Sequence, residues 1–410
     1  MSTSSFVYLA FLIPALLLFS AGGGPRRRRI LFSAANAVFL IFFVDSWTNA
    51  GLLAAFIFGG YGAALLAKPR EGRAAVPLWL LVLVPAALLL IVKRYAFLTL
   101  ILPSRALAHS LEIVGLSYMT FKLIHVLVDA REGALAQLSL PCYANYQLGF
   151  FTLAAGPIQR YGDFARWWDA PEPAPDATES LTAWNRILNG ILKSALLGTL
   201  ALHLYTNASD AVLAGPPGRR ALLRFALAFY SYPLYVYLNF SGYCDVVIGS
   251  ARLFGLTLPE NFDRPFLARN MIDFWNRWHI SLTFWIRDYI FMSSYKWIAA
   301  RFEALRAVAG YVLLFLALFV AGVWHGSTWN FVLFGAVHGF GVMVTSMYSD
   351  ALRRSLGAEG LKRYLRAPWL RRAAILVTFH YVCFSFLFFP SDLRRTAAML
   401  RTVAAALGRR

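Results

Sequence analysis

Apolar runs close to 20 residues long recur along nearly the whole chain, and nothing else in the sequence limits its fold as strongly. A bilayer core takes about 20 residues of helix to cross, and a helix satisfies its own backbone N–H and C=O groups where there is no water. Clear or slightly short runs occupy 6–21, 30–44, 51–67, 76–92, 184–206, 220–238, 306–323, 329–347 and 373–389, with weaker ones at 95–108, 112–128 and 146–158. They predict an all-α integral membrane protein with about ten to twelve membrane-embedded helices. With 59% apolar and only 14% charged residues, against roughly 25% charged in soluble domains, the chain is not a soluble globular protein. Its 16% aromatic content excludes a solvated coil. Three cysteines, Cys142, Cys244 and Cys383, form neither a disulfide scaffold nor a CxxC metal pair.

A net charge of +19 would suit nucleic acid or an anionic membrane surface, and its distribution decides between them. The basic residues come in bursts between apolar runs: Arg26 to Arg29; Lys68, Arg70 and Arg73; Arg353 and Arg354; Lys362 through Arg372. That is the pattern of short loops at a cytoplasmic face. A nucleic-acid protein would carry its charge on one solvated face of a water-soluble fold. The first apolar run is expected to remain as a helix rather than be cleaved, because Met1 to Ser5 carry no positive charge while four arginines follow. Met1 and the Asp45–Asn49 loop are then outside. Two stretches read as solvated connectors, Asp169 to Asp176, rich in proline and acid, and Gly215-Pro216-Pro217-Gly218. No soluble domain or internal repeat stands out, so residues 1–410 read as one polytopic membrane domain.

Ionisable and polar groups inside apolar segments are costly and mark function. One concentration runs from Asn270 to Tyr289 and contains Asp273, Trp275, Arg277, Trp278, His279, Ser281, Trp285, Arg287 and Asp288. At helical spacing Trp275, Trp278, Leu282 and Trp285 share a face, and Asp273 and Arg277, four apart, can pair. An interfacial helix with tryptophans at the headgroup level is one reading of that stripe. His279 needs a partner if buried, so a structural bond and a site role both stay open for it.

The second concentration is Gly322-Val323-Trp324-His325-Gly326-Ser327-Thr328-Trp329-Asn330, between two apolar runs. It suggests a helix interrupted beside a cavity, because irregular backbone at membrane depth persists only against protein or water. His338 follows, before Gly339. On one continuous helix His325 and His338 would face nearly opposite ways, so no shared metal is expected. A neutral imidazole in an apolar tunnel can take a proton from a hydroxyl, which is the chemistry of acyl transfer from an activated thioester. Cys244 could carry a covalent intermediate, but only Asp245 stands beside it as a base.

The run Asp273-Phe274-Trp275-Asn276-Arg277-Trp278-His279, then Trp285-Ile286-Arg287-Asp288-Tyr289, and later Trp324-His325-Gly326 resemble the membrane-bound O-acyltransferase family. They are most similar to its bacterial polymer-modifying branch, of the alginate O-acetylation and teichoic-acid D-alanyl transfer type. Further blocks extend the resemblance: Gly115 to Phe121 with Asp129, Ala155 to Tyr161, Asn239 to Asp245, and Leu258 to Pro265. In family order, they span about residues 115 to 340. The resemblance implies helices around a central tunnel in the cell's inner (cytoplasmic) membrane, multi-pass and in contact with membrane lipids. It makes His325 the catalytic residue and His279 its companion. Trp278, Ser281, Arg277, Asp288, Trp324, Asn330 and His338 are the expected binding or supporting residues, with no metal and no tightly bound cofactor.

The implied co-substrate is an acyl thioester, of coenzyme A or of an acyl- or D-alanyl-carrier protein on the cytoplasmic side. The implied acceptor is a hydroxyl of a glycan or other polymer outside, with an extracytoplasmic acyl-relay protein as a further expected partner and no nucleic acid. Two positions depart from the family pattern. Cys244 replaces a common serine, and Ile290 to Lys296 replaces the Pro-Leu-Gly-Gly continuation of the alginate type, which leans toward the D-alanyl type. The rival reading is a transporter or flippase for an envelope precursor. It would show matching interrupted helices in two halves, whereas the polar blocks here lie between 239 and 340. An inactive scaffold is a third reading, against which His279 and His325 stand.

Overall fold

A computed structural model describes residues 6–20, 23–42, 44, 46–69, 76–92, 115–135, 137–170, 175–390 and 393–408. The weak run at 95–108, Asp45, the loop residues 70–75 and residues 171–174 of the acidic connector lie outside these.

The described residues are mainly helical, and β-pairing among them is limited to the isolated bridge of Phe262 with Trp278. Trp47–Ala67, Ala177–Ala214, Arg219–Leu253, Glu303–His325 and Trp329–Arg366 are long and apolar enough to cross a membrane, and Tyr8–Ser20 and Leu78–Ile91 are shorter apolar helices. The apolar runs at 30–44 and 373–389 form the helices Pro25–Ile41 and Pro368–Phe386. The run at 146–158 does not form one. Its helix, Leu140–Leu148, stops at Gly149, and the chain continues in turns through Gly156, whose left-handed backbone (φ +78°) no helix contains, and Pro157, which has no N–H to donate.

The chain divides into two compact units, residues 1–192 with 242–260, and residues 193–241 with 261–410. In the first, several buried polar side chains find partners within the unit. The fully buried Lys122 donates to the carbonyls of Tyr146 (2.9 Å) and Gln147 (3.4 Å) and to Thr152 Oγ1 (2.7 Å), setting a cation at the negative end of Leu140–Leu148. Asn36 donates to Asn145 Oδ1 at 2.9 Å and accepts from the Phe150 N–H at 3.0 Å. Arg186 bonds Asp245 (3.0 Å) and Glu260 (2.7 Å). Asp176, at the end of the acidic connector, caps Ala177–Ile191 in a reciprocal box with Glu179.

In the second unit, Arg306–His325 and Trp329–Arg366 form an antiparallel hairpin closed by glycines. A methyl group on Gly322 would overlap the Cα of Gly335, and one on Gly335 would come within 2.6 Å of the Phe319 carbonyl oxygen. Gly339 meets the Phe315 carbonyl at the same distance. Two backbones this close leave no room for a Cβ, and the tight hairpin fixes where His325 and His338 stand.

Candidate functional site

The site is built in the second unit, on the hairpin and on the segment 261–291 between the long helices. This segment is not one continuous helix. Met271–Trp275 ends in a turn, His279 takes a left-handed backbone (φ +47°), and Ile280–Trp285 then leads into a widened π turn, Ile286–Phe291. A left-handed conformation in a residue with a Cβ is uncommon and costs energy that its surroundings must supply. Asn261 supplies it. Its carbonyl accepts from the Ile280 N–H (3.1 Å) and its side-chain Oδ1 from the Ser281 N–H (3.0 Å), while Asp263 N–H bonds the Arg277 carbonyl (3.0 Å). His279 is thus held between fixed neighbours on both sides.

The tryptophan stripe is a correction to the interfacial reading. Trp275, Trp278 and Trp285 are all buried. Trp278 stacks on Phe274 with ring centroids 5.5 Å apart and meets Phe262 edge-on at 5.1 Å. The expected pair forms, Arg277 Nε donating to Asp273 Oδ1 at 2.8 Å, and Arg269 donates to the other carboxylate oxygen at 3.1 Å. Burial acts to raise the Asp273 carboxyl, but the bonds from Arg277 and Arg269 outweigh it and hold the group below its usual range. Asp288 pairs with Arg287 (2.8 Å) in the widened turn, partly exposed.

The interruption expected around His325 is present. Arg306–His325 ends on that residue, 326–328 are not helical, and Trp329 starts the next helix. Gly326 is dictated by packing, since a Cβ there would run into the Phe331 ring. The half-buried His325 ring packs against Trp324 (4.8 Å), Phe389 (5.5 Å) and Phe334 (6.2 Å). His338 lies on the other arm of the hairpin, 4.3 Å from the Phe334 ring and 5.2 Å from Trp275, so the two histidines approach across the helix pair instead of diverging on one helix. His325 is close enough to interact electrostatically with both His279 and His338. Among the described residues, no three His, Cys, Asp or Glu side chains are grouped to hold a metal.

Ser385 Oγ stands between the Val382 carbonyl (2.7 Å) and His338 Nε2 (2.8 Å), which fixes the orientation of the His338 ring. Buried His338 Nδ1, Asn330 Nδ2 and Trp275 Nε1 have no hydrogen-bond partner among the described residues. These are groups a polar substrate could satisfy. Sequence reasoning passed over Asn261, Ser385 and Phe334. Asn261 stood inside the Leu258 to Pro265 block, a buried asparagine whose signal was there to find, while Ser385 was hidden in the apolar run at 373–389. Cys142, Cys244 and Cys383 are buried, and none forms a disulfide among the described residues.

Residues 38–389 match the family model described as MBOAT, membrane-bound O-acyltransferase family. The teichoic acid D-alanyltransferase of Bacillus subtilis is 32% identical over 308 residues, 72% of this chain and 73% of that protein. That of Streptococcus thermophilus is 29% identical over 295 residues, 69% of each. The probable alginate O-acetylase AlgI of Pseudomonas aeruginosa is 31% identical over 284 residues, 68% of this chain but 49% of its own length.

Proposed function

The chain belongs to the membrane-bound O-acyltransferase family, and from that premise we propose that it moves an acyl group from a cytoplasmic thioester to hydroxyls of an extracytoplasmic polysaccharide or other cell-envelope polymer. It is a multi-pass membrane acyltransferase, and relatives of both named kinds modify polymers of this class. His325 acts as general base, taking the proton of the acceptor hydroxyl. The freed oxygen attacks the thioester carbonyl, the new C–O ester bond forms as the C–S bond breaks, and the thiolate leaves with the proton that the imidazolium returns. His279 donates a hydrogen bond to the developing oxyanion, which is worth most in a dry site. Trp278 and the surrounding phenylalanines exclude water there. Asn330 and His338 offer their unsatisfied atoms to the substrate. Trp324 packs on the catalytic ring, Arg277 and Ser281 hold the segment that carries His279, and Asp288 pairs with Arg287 in the widened turn that follows.

The observation that carries this reading is that the His325 and His338 rings both pack on Phe334 across the glycine-closed hairpin, with His279 set on the strained turn of the same unit. The inner membrane is the location this reading requires, with coenzyme A or a carrier protein as thioester donor, an acyl-relay protein outside as a further partner, and no tightly bound cofactor. D-alanyl is favoured over acetyl by the Ile290 to Lys296 sequence and by the larger share of the D-alanyltransferases that aligns. Purified protein given a radiolabelled acyl thioester and a polymer acceptor should form a hydroxylamine-labile ester on the acceptor. Movement of label or acceptor across the membrane with no new ester would instead support the transporter.

A further inference from the structure

A cleft of about 610 Å³ lies between Trp329–Arg366 and Pro368–Phe386, walled by Phe340, Val344, Leu352, Leu365, Ala374 and Val377. From 340 to 352 it follows one helix for about 18 Å at 1.5 Å per residue, a length suited to an extended hydrocarbon chain. Its floor is Gly341, where a Cβ would come within 2.8 Å of Tyr381 and 2.9 Å of Met271. Phe340 and Val377 are exposed, so the cleft opens to the side, toward lipid if the helices span a bilayer.

The end where the two helices join has a different chemistry. From 351 to 372 there are seven Lys and Arg against one Glu, and that Glu359 is paired with Lys362 at 2.7 Å. Gly357, with φ +62°, breaks the long helix, and the returning piece sets Tyr364 and Leu365 on the cleft, the Tyr364 hydroxyl bonded to that of Tyr348 at 2.9 Å. Arg371 lines this end and is exposed, whereas Arg269, also in the wall, is held by Asp273. Trp369, two residues earlier on the same helix, is exposed and is the residue type that anchors at the headgroup level. Apolar length and cationic mouth together match one molecular class.

We propose that this cleft binds one acidic phospholipid of the cytoplasmic leaflet, with its phosphate against Arg371 and an acyl chain along Gly341. Full-length protein in detergent would be titrated with dioleoylphosphatidylglycerol or dioleoylphosphatidylcholine, and bound lipid counted by native mass spectrometry. The phosphatidylglycerol should bind more tightly than phosphatidylcholine, and about fivefold more weakly to Arg371→Gln, one cation being worth about 1 kcal/mol at an anionic lipid surface. Ala374→Trp, which fills the cleft and leaves Arg371 in place, should lose the variant-sensitive lipid. Arg371 is exposed, so its variant should fold as wild type. If Ala374→Trp does not purify as a folded protein, the Arg371→Gln and phosphatidylcholine comparisons decide alone. Equal binding of the two lipids, wild-type binding by either folded variant, or displacement by millimolar inorganic phosphate would each overturn the proposal.

Discussion

His279 joins two costly features, a left-handed backbone and a buried imidazole, and both are tolerated because Asn261 holds the next two residues. Asn261→Leu removes the acceptor of the Ser281 N–H and leaves that buried donor unsatisfied, a loss of about 1–3 kcal/mol. The thermal midpoint in detergent should fall, and turnover should fall with it as His279 loses its orientation. His279→Ala should cost about 10² to 10³ in acyl-transfer rate, the usual consequence of losing one oxyanion donor. Wild-type turnover by this variant would remove His279 from the chemistry. Asp273 gives a pH test. Its carboxyl is lowered by folding, so its contribution to stability is complete above the unfolded value near about 4 and is lost as pH falls through the lowered folded value. Between pH 5 and 3 the midpoint of Asp273→Asn should therefore drop less than that of wild type. The sequence showed the Asp273–Arg277 pair because one helical turn suffices to bring them together. It did not show the left-handed turn, because the bonds that impose it come from a residue far back in the chain.

Between helices, approach distance is set by residues that are absent as side chains. Gly335→Ala would drive a methyl into the Phe319 carbonyl, and overpacking of this kind costs about 1–3 kcal/mol. On Gly310, in the same hairpin, a Cβ would meet the Tyr295 ring at an ordinary contact distance of 3.7 Å, and alanine there should be neutral or stabilise the helix by up to about 1 kcal/mol. Membrane abundance and thermal midpoints of the two variants should separate in that order. Equal behaviour would refute the close-packed hairpin. Most long helices were legible as apolar runs, since length and hydropathy alone decide whether a segment suits a bilayer. The 270–289 segment was misread as one helix because its tryptophan spacing fits helical periodicity, while the break at His279 depends on tertiary bonds. The proximity of His325 and His338 was likewise concealed until the chain was seen to reverse at 326–328.

Across the whole molecule the basic bursts set a direction. Arg26 to Arg29 and the Lys68 to Arg73 loop are expected in the cytoplasm, with Asn49 outside. The native cysteines are buried, so a thiol introduced at Asn49 should react with an impermeant reagent in intact cells and one at Gly72 should not. The reverse pattern would invert the topology. That direction gives meaning to the central claim, that His325 takes the acceptor proton while the acyl group passes from one side to the other. The most direct test places labelled acyl thioester at the cytoplasmic face of proteoliposomes and the polymer acceptor at the opposite face, with wild-type or His325→Ala protein of matched amount and thermal midpoint. Wild type should label the acceptor, and His325→Ala should do so about 10² to 10⁴ times more slowly. Near wild-type labelling by folded His325→Ala would contradict the account.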